Sequence, residues 1–183
     1  DALMQQLFNR LYDRDGKIAA RGRILEDVVA AFLKMPYFKT RPPKSAGREE
    51  YGSMLANEFL KSCRKAGGSD MDAISTATAF TAQSIALAFT RFVQPRLKPN
   101  TQVDYILSGG GAKNHTLMKM LREKLEPLGC TLLDTSTIGI PVDAKEAVAF
   151  ALLAYYTWHK HPANVPSATG AKHPVILGQV TYV

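Results

Sequence analysis

Three consecutive glycines, Gly109, Gly110 and Gly111, stand between the apolar run Val103-Asp104-Tyr105-Ile106-Leu107-Ser108 and a helical rhythm that starts near His115. A backbone without Cβ atoms lets an anion approach closely, and the unpaired N–H groups of a helix start add a favourable dipole, so a phosphate suits this junction. The pattern is neither G-x-G-x-x-G nor G-x-x-x-x-G-K-[ST], which withholds both the dinucleotide and the P-loop readings. Taken alone, it serves equally as a tight strand-to-helix connection in an α/β core. Glu146 is the second candidate, at the mouth of a run from Ala147 to Tyr156 that is apolar apart from its tyrosine hydroxyls. As the third helical residue after an Asp143 cap it would close a capping box; as a carboxylate at a buried helix mouth it would orient a hydroxyl or a water. Lys44 and Arg48 follow a Pro-Pro pair and either present charge to an anion or sit as surface charges on a linker. No metal site is expected: His159 and His161 lack a third ligand nearby, and Asp13-Arg14-Asp15-Gly16 lacks the downstream bidentate acid of a calcium loop.

These residues must be positioned by a chain of 183 residues, 46% hydrophobic and 21% charged, enough for one well-buried core or two small ones. The formal charge of +7 fits an anionic ligand such as a nucleotide. Nucleic acid is not expected as a partner, because the 23 basic residues are dispersed and form no basic block with interleaved aromatics. The densest group, Lys61, Arg64 and Lys65, falls at the end of an expected helix, where cations favour the dipole. Cys63 and Cys130 are far apart and show no metal or redox spacing, the usage of reduced thiols inside a cell. No membrane span and no secretory signal is expected, so a cytoplasmic location is the default. Residue Asp1 is followed at once by helical rhythm, with Leu3, Leu7 and Leu11 on one stripe, which suggests a piece of something longer.

The opening helix is expected to run to Leu11 and give way to a turn at Tyr12–Lys17, followed by a helix from about Ile24 to Lys34 that Pro36 stops. Pro42 and Pro43 impose an extended segment, after which a helix from about Arg48 to Lys65 ends at Gly67-Gly68. Ser69 or Asp70 then caps the longest helix, roughly 30 to 35 Å, ending before Pro95. Its stripe of Ile74, Ala77, Thr81, Ile85, Ala88, Phe89 and Phe92 reads as core packing. The glycine junction, a helix from His115 to about Glu126 and a second strand, Cys130 to Leu133, make a parallel βαβ unit with the glycines at a strand's carboxyl end, where ligands of such sheets sit. The helix from Asp143 onward is so uniformly apolar that it should be buried on nearly all sides, and Val175 to Val183 is a candidate edge strand.

Four separated segments give a more specific signal: Tyr12-Asp13-Arg14-Asp15-Gly16, Pro42-Pro43-Lys44-Ser45-Ala46-Gly47-Arg48-Glu49, Gly109-Gly110-Gly111-Ala112-Lys113-Asn114 and Glu146-Ala147-Val148-Ala149-Phe150-Ala151. With the loop Asn164 to Ala171 and the closing Leu177-Gly178, in this order and spacing, the chain resembles the carboxyl-terminal half of the 1,6-anhydro-N-acetylmuramic acid kinases and their fungal levoglucosan kinase relatives. The resemblance implies an α/β fold, the C-terminal, nucleotide-binding lobe of the two-lobed architecture shared by hexokinase, actin and heat-shock ATPases, helix-rich with a small mixed sheet. Residues 1–183 would then be that single lobe.

The implied activity opens a 1,6-anhydro bridge and phosphorylates the freed sugar oxygen, using ATP and Mg2+. By resemblance Gly109, Gly110 and Gly111 lie against the nucleotide with Asn114 nearby, while Glu146 faces the sugar and assists an aspartate that activates water. Lys44 and Arg48 receive no role from the match. The family's Gly-Thr-Ser phosphate loop, its Asp-x-Gly-Pro-Gly-Asn segment and the aspartate base are not in this chain; Ala46 stands where Thr is usual and Tyr51 where Phe is usual. Half a cleft neutralises little of the charge that phosphoryl transfer develops, so the chain alone is expected to be inactive or nearly so. The other expectation is a non-catalytic lobe with residual nucleotide binding. The resemblance leaves room for a homodimer of the full-length protein.

Overall fold

The computed structural model describes residues 1–44, 46–47 and 52–181. Arg48 lies outside them, with Ser45, Glu49 and Tyr51, so the expected beginning of the helix at Arg48 does too. The chain is helix-rich α/β. Helices α1 (Ala2–Phe8), α2 (Glu26–Phe32), α3 (Pro36–Lys39), α4 (Ser53–Lys65) and α5 (Asp70–Ala88) precede strand β1 (Val103–Leu107), helix α6 (His115–Leu125), strand β2 (Cys130–Asp134) and helices α7 (Lys145–Trp158) and α8 (Pro166–Thr169).

Local chemistry explains most boundaries. Helix α1 stops short of the expected Leu11 because Asn9 turns into the left-handed region at φ 50, and its N–H returns to Gln5. Asn tolerates that conformation better than other L residues, and Leu11 is left exposed. Pro36 does not merely end a helix: it occupies the first turn of α3, where its missing N–H costs nothing. Helix α4 ends in a Schellman arrangement, with the N–H of Gly68 on the carbonyl of Cys63 and that of Gly67 on Arg64, both at 2.9 Å. Ser69 then starts α5 with a complete capping box, reciprocated by Asp72. The Asp72 carboxylate also accepts the N–H of Arg23 at 2.6 Å; the bonds from Ser69 and Arg23 hold its pKa below the ordinary value.

Two cores sit along α5. The first joins Leu3 and Met4 of α1, Ile18 and Ala19, Leu25 and Val28, and Phe59, Leu60 and Cys63 of α4 to Ala73 and Ile74. Phe32, Phe59 and Phe80 form an aromatic knot within it, Phe32 and Phe59 meeting edge-on at 4.8 Å. Cys63 is fully buried, and loss of solvent pushes its thiol up to about 11. The second core gathers Ala82 and Phe89 around Leu121 and Leu125 of α6 and Cys130 of β2. Of the expected core stripe of the long helix, Ile74 and Ala77 join the first core and Ile85 and Phe89 the second, whereas Thr81 and Ala88 are exposed.

The sheet pairs β1 and β2 in parallel, in register from Val103 opposite Cys130 to Leu107 opposite Asp134. Helix α6 is the crossover, as a parallel pair demands. The carboxyl ends of both strands therefore open onto the same edge: the glycine turn leaves β1 there, and an Asp134–Ser136 turn leaves β2. The expected mixed sheet is, among the described residues, this two-stranded parallel one. Val175 to Thr181 is not a strand. Asn164 binds the backbone of His173 and Val175 instead, and Gly178 turns the chain at φ +81.

The largest departure is α7. Its run of apolar residues was expected to be buried, yet it holds no buried residue, with Phe150 70% and Trp158 63% exposed. Its apolar surface has no covering element among the described residues. No helix among the described residues is long and apolar enough to cross a membrane.

Candidate functional site

Gly109 leaves β1 at φ 76 and ψ −173, a conformation that an L side chain rarely adopts. A 3-10 turn from Gly110 to Lys113 follows, and Asn114 then caps α6 by accepting the N–H of Leu117 at 2.9 Å. Gly110 and Gly111 need no positive φ. A Cβ built on Gly110 meets nothing within 4 Å, and one on Gly111 meets only Leu117 at 3.6 Å, an ordinary contact. Backbone geometry therefore accounts for Gly109 and leaves the next two glycines without an internal reason. Among the described residues no acceptor meets the N–H of Gly110 or Gly111.

Facing this turn is the loop Tyr12–Gly16. The Asp13 carboxylate accepts the N–H groups of Ile18 and Ala19, both at 2.9 Å, and shapes the loop from within. Asp15 takes a left-handed φ of 60 and pairs with Lys17 at 3.0 Å, and that bond holds its carboxyl below the ordinary value. The loop docks on α6 through the Thr116 hydroxyl, which donates to the Gly16 carbonyl at 2.7 Å. Between loop and turn opens a cavity of about 920 Å³. Asp13, Arg14 and Asp15 line one side and Gly110, Gly111 and Asn114 another, while Leu55, Ala56, Phe59 and Phe80 give it an apolar wall. Ala77 and Thr81, assigned to core packing on their spacing, line it as well. A polar mouth of free N–H groups joined to an apolar recess is the shape of a small-molecule site.

Lys113 closes one rim by pairing with Asp143 at 2.6 Å. That pairing displaces an expectation: Asp143 does not cap α7, whose N-terminal flanking residue is Ala144 with no side-chain cap. Glu146 consequently closes no capping box. It stands exposed in the first turn of α7, near the cavity rim in sequence but not among its lining residues, and among the described residues it makes no hydrogen bond or ion pair. Gly110, Gly111 and Asn114 are thus brought together on the cavity, Gly109 sets the turn that presents them, and Glu146 stays apart.

Lys44 is turned inward. Its ammonium donates to the Tyr37 carbonyl at 2.8 Å and lies over the rings of Tyr37 and Phe92, 4.2 and 5.1 Å from their centroids. Burial, then the charge of Arg91, lowers its pKa. This cation ties the proline segment to the helices. Nearby, Pro43 meets the loop around Gly170, so two of the resembling segments converge. Three features escaped sequence reasoning: the Lys113–Asp143 pair, the Asp13 clamp, and the buried hydroxyl of Thr135 just beyond β2, unpartnered among the described residues. Each depends on residues that meet only after folding; the Asp-Arg-Asp-Gly order was the one available signal for the second.

The profile of the family described as anhydro-N-acetylmuramic acid kinase matches residues 1–183, the whole chain. The chain belongs to the anhydro-N-acetylmuramic acid kinase family. Curated relatives agree. The chain is 42% identical over 182 residues to the anhydro-N-acetylmuramic acid kinase of Bacillus cereus strain AH820, covering 100% of this chain and 46% of the relative. It is 41% identical, with the same coverage, to the kinases of that name from Bacillus anthracis strain CDC 684 / NRRL 3495 and Bacillus thuringiensis subsp. konkukian strain 97-27. The chain spans about half the length of the curated relatives it matches.

Proposed function

We infer that residues 1–183 are the nucleotide-binding, carboxyl-terminal lobe of a two-lobed anhydrosugar kinase, and that the glycine turn receives the phosphates of ATP. One observation carries the reading: Gly110 and Gly111 lack Cβ atoms that the fold itself would accommodate, and they line a cavity with unpaired N–H groups. Close approach of an anion supplies the missing reason. Gly109 and Asn114 set the ends of that turn. Among the described residues no cluster of His, Cys, Asp or Glu would hold a metal by itself. Mg2+ would come with the phosphates, its usual carrier, neutralising charge as the phosphoryl group moves.

In this reading Glu146, exposed on the first turn of α7, faces the sugar and assists an aspartate from the other lobe that activates water. The anhydro bridge opens and the freed oxygen takes the phosphoryl group. The names of the relatives favour the muramic acid over levoglucosan as the sugar. Because positioning by both walls of a cleft supplies the catalysis, the chain alone is inactive or nearly so. The bare apolar face of α7 supports that part, since such a helix calls for a covering partner. The same exposure favours a second reading, a lobe that binds nucleotide without catalysis. A cytoplasmic location, and room for a dimer of the full-length protein, belong to the first reading.

The test is sugar-dependent ATP turnover by the chain alone and mixed with the unmatched portion of the Bacillus cereus relative, with each sugar in turn. Turnover only in the mixture, and with the muramic acid, supports the kinase reading. Turnover by the chain alone contradicts the half-site account. Nucleotide binding without turnover in either preparation supports the second reading.

A further inference from the structure

The Gly16–Thr116 contact joins residues 100 positions apart, each next in sequence to residues that line the cavity. Gly16 is buried at φ +71, and a Cβ there would sit 2.1 Å from the Asn114 carboxamide oxygen and 2.8 Å from the Thr116 side chain. The fold therefore demands glycine at this position twice, for its conformation and for the close approach of α6. Asn114 Oδ1 is the cap acceptor for Leu117, so the atom against Gly16 is the one that fixes the end of the glycine turn. The remainder of the loop is held to the first core by the Asp13 clamp on Ile18 and Ala19, both buried there. Helix α6 belongs to the second core through Leu121 and Leu125. The hydrogen bond from Thr116 thus ties the loop anchored in the first core to the helix anchored in the second, beside the two walls of the cavity.

We propose that Thr116 is a positioning residue for the anion-binding turn: its bond to the Gly16 carbonyl fixes the gap between the Asp13–Asp15 wall and the Gly110–Asn114 wall. Thr116 does not line the cavity, so it acts through the loop and the cap rather than on the ligand. Its hydroxyl is part-buried against a carbonyl, and loss of the donor leaves that carbonyl without a partner and lets the walls separate. The inference rests on the nucleotide reading of the same cavity and adds the element that sets its dimensions.

The experiment measures ATP binding in the presence of Mg2+ by calorimetry, and thermal midpoints, for the wild-type chain and for Thr116→Val, Thr116→Ser and Thr116→Ala. Thr116→Val keeps the shape and removes the donor, and is expected to weaken ATP about tenfold. Thr116→Ser keeps the donor and should bind within about twofold of wild type. If the valine variant does not fold, serine against alanine, both smaller than the native residue, carries the same comparison. Ser69→Ala serves as the control: it removes the α5 cap, lowers the midpoint and leaves ATP affinity unchanged. Equal ATP affinity in wild type, Thr116→Val and Thr116→Ala overturns the inference while leaving the nucleotide reading intact. A serine variant as weak as alanine overturns it too, because the donor would then not be the cause. A wild-type chain that binds no ATP overturns the nucleotide reading and this inference with it.

Discussion

Helices α6 and α7 differ in a way that their sequences invert. Helix α6 is amphipathic and carries four charged residues, yet Leu121 and Leu125 are fully buried and Asn114 and Thr116 fasten its start. Helix α7 is nearly all apolar, yet it buries nothing and its start has no cap. Apolar content measures how much surface a helix needs covered; whether it is covered depends on what the rest of the fold brings to it. Helix α6 sits between α5 and the sheet, whereas α7 is tethered mainly at its ends. Asp143 reaches Lys113, and the Thr157 hydroxyl reaches the Leu177 carbonyl. The glycine turn belongs to the first, well-anchored region and Glu146 to the second.

Truncation in each helix is the strongest way to break this contrast. Leu121→Ala removes a fully buried side chain, and about 2 to 5 kcal/mol of stability should be lost in urea unfolding. Phe150→Ala on α7 should stay within about 0.5 kcal/mol of wild type, as exposed positions do. A comparable loss at Phe150 would mean that its face is covered in solution, for example by a second copy of the chain. Ser69→Ala sharpens the picture of the anchored half. It should cost about 1 kcal/mol, the usual worth of such a cap, and leave the slope of the urea dependence unchanged.

The smallest effect concerns pH. Asp72 has its pKa lowered in the fold by bonds from Ser69 and Arg23, so the folded state binds its proton less readily than the unfolded chain. Its contribution is present above the unfolded carboxylate range near pH 4 and is lost as the pH falls through the folded value. Asp72→Asn should flatten the acid side of a stability profile and leave the profile between pH 6 and 8 parallel to wild type. An unchanged acid limb would show that Asp72 is not held as described.

Signals confined to a few neighbouring residues were legible in the sequence. The Gly67-Gly68 stop, the Ser69 start, the Asn114 boundary of α6 and the parallel pairing of β1 with β2 follow from caps, periodicity and spacing. The glycine junction was visible, but not the division of labour within it, because only backbone angles separate Gly109 from Gly110 and Gly111. Long-range partners escaped. Asp143 had a sound local reason to cap α7, and Lys113, distant in sequence, outcompeted it. The α7 run gave its apolarity but not its surroundings. Gly16 looked like an ordinary turn glycine until α6 was set against it.

The most direct test of the glycine turn is calorimetric titration of ATP with Mg2+ into the wild-type chain and into Gly110→Val. A Cβ at Gly110 meets nothing within 4 Å among the described residues, so both proteins should melt together. Wild type should bind, and Gly110→Val should bind at least about tenfold more weakly because the valine occupies the path of the phosphates. Equal affinity in the two proteins, or no binding by wild type, would contradict the account and return the glycines to a mere connection.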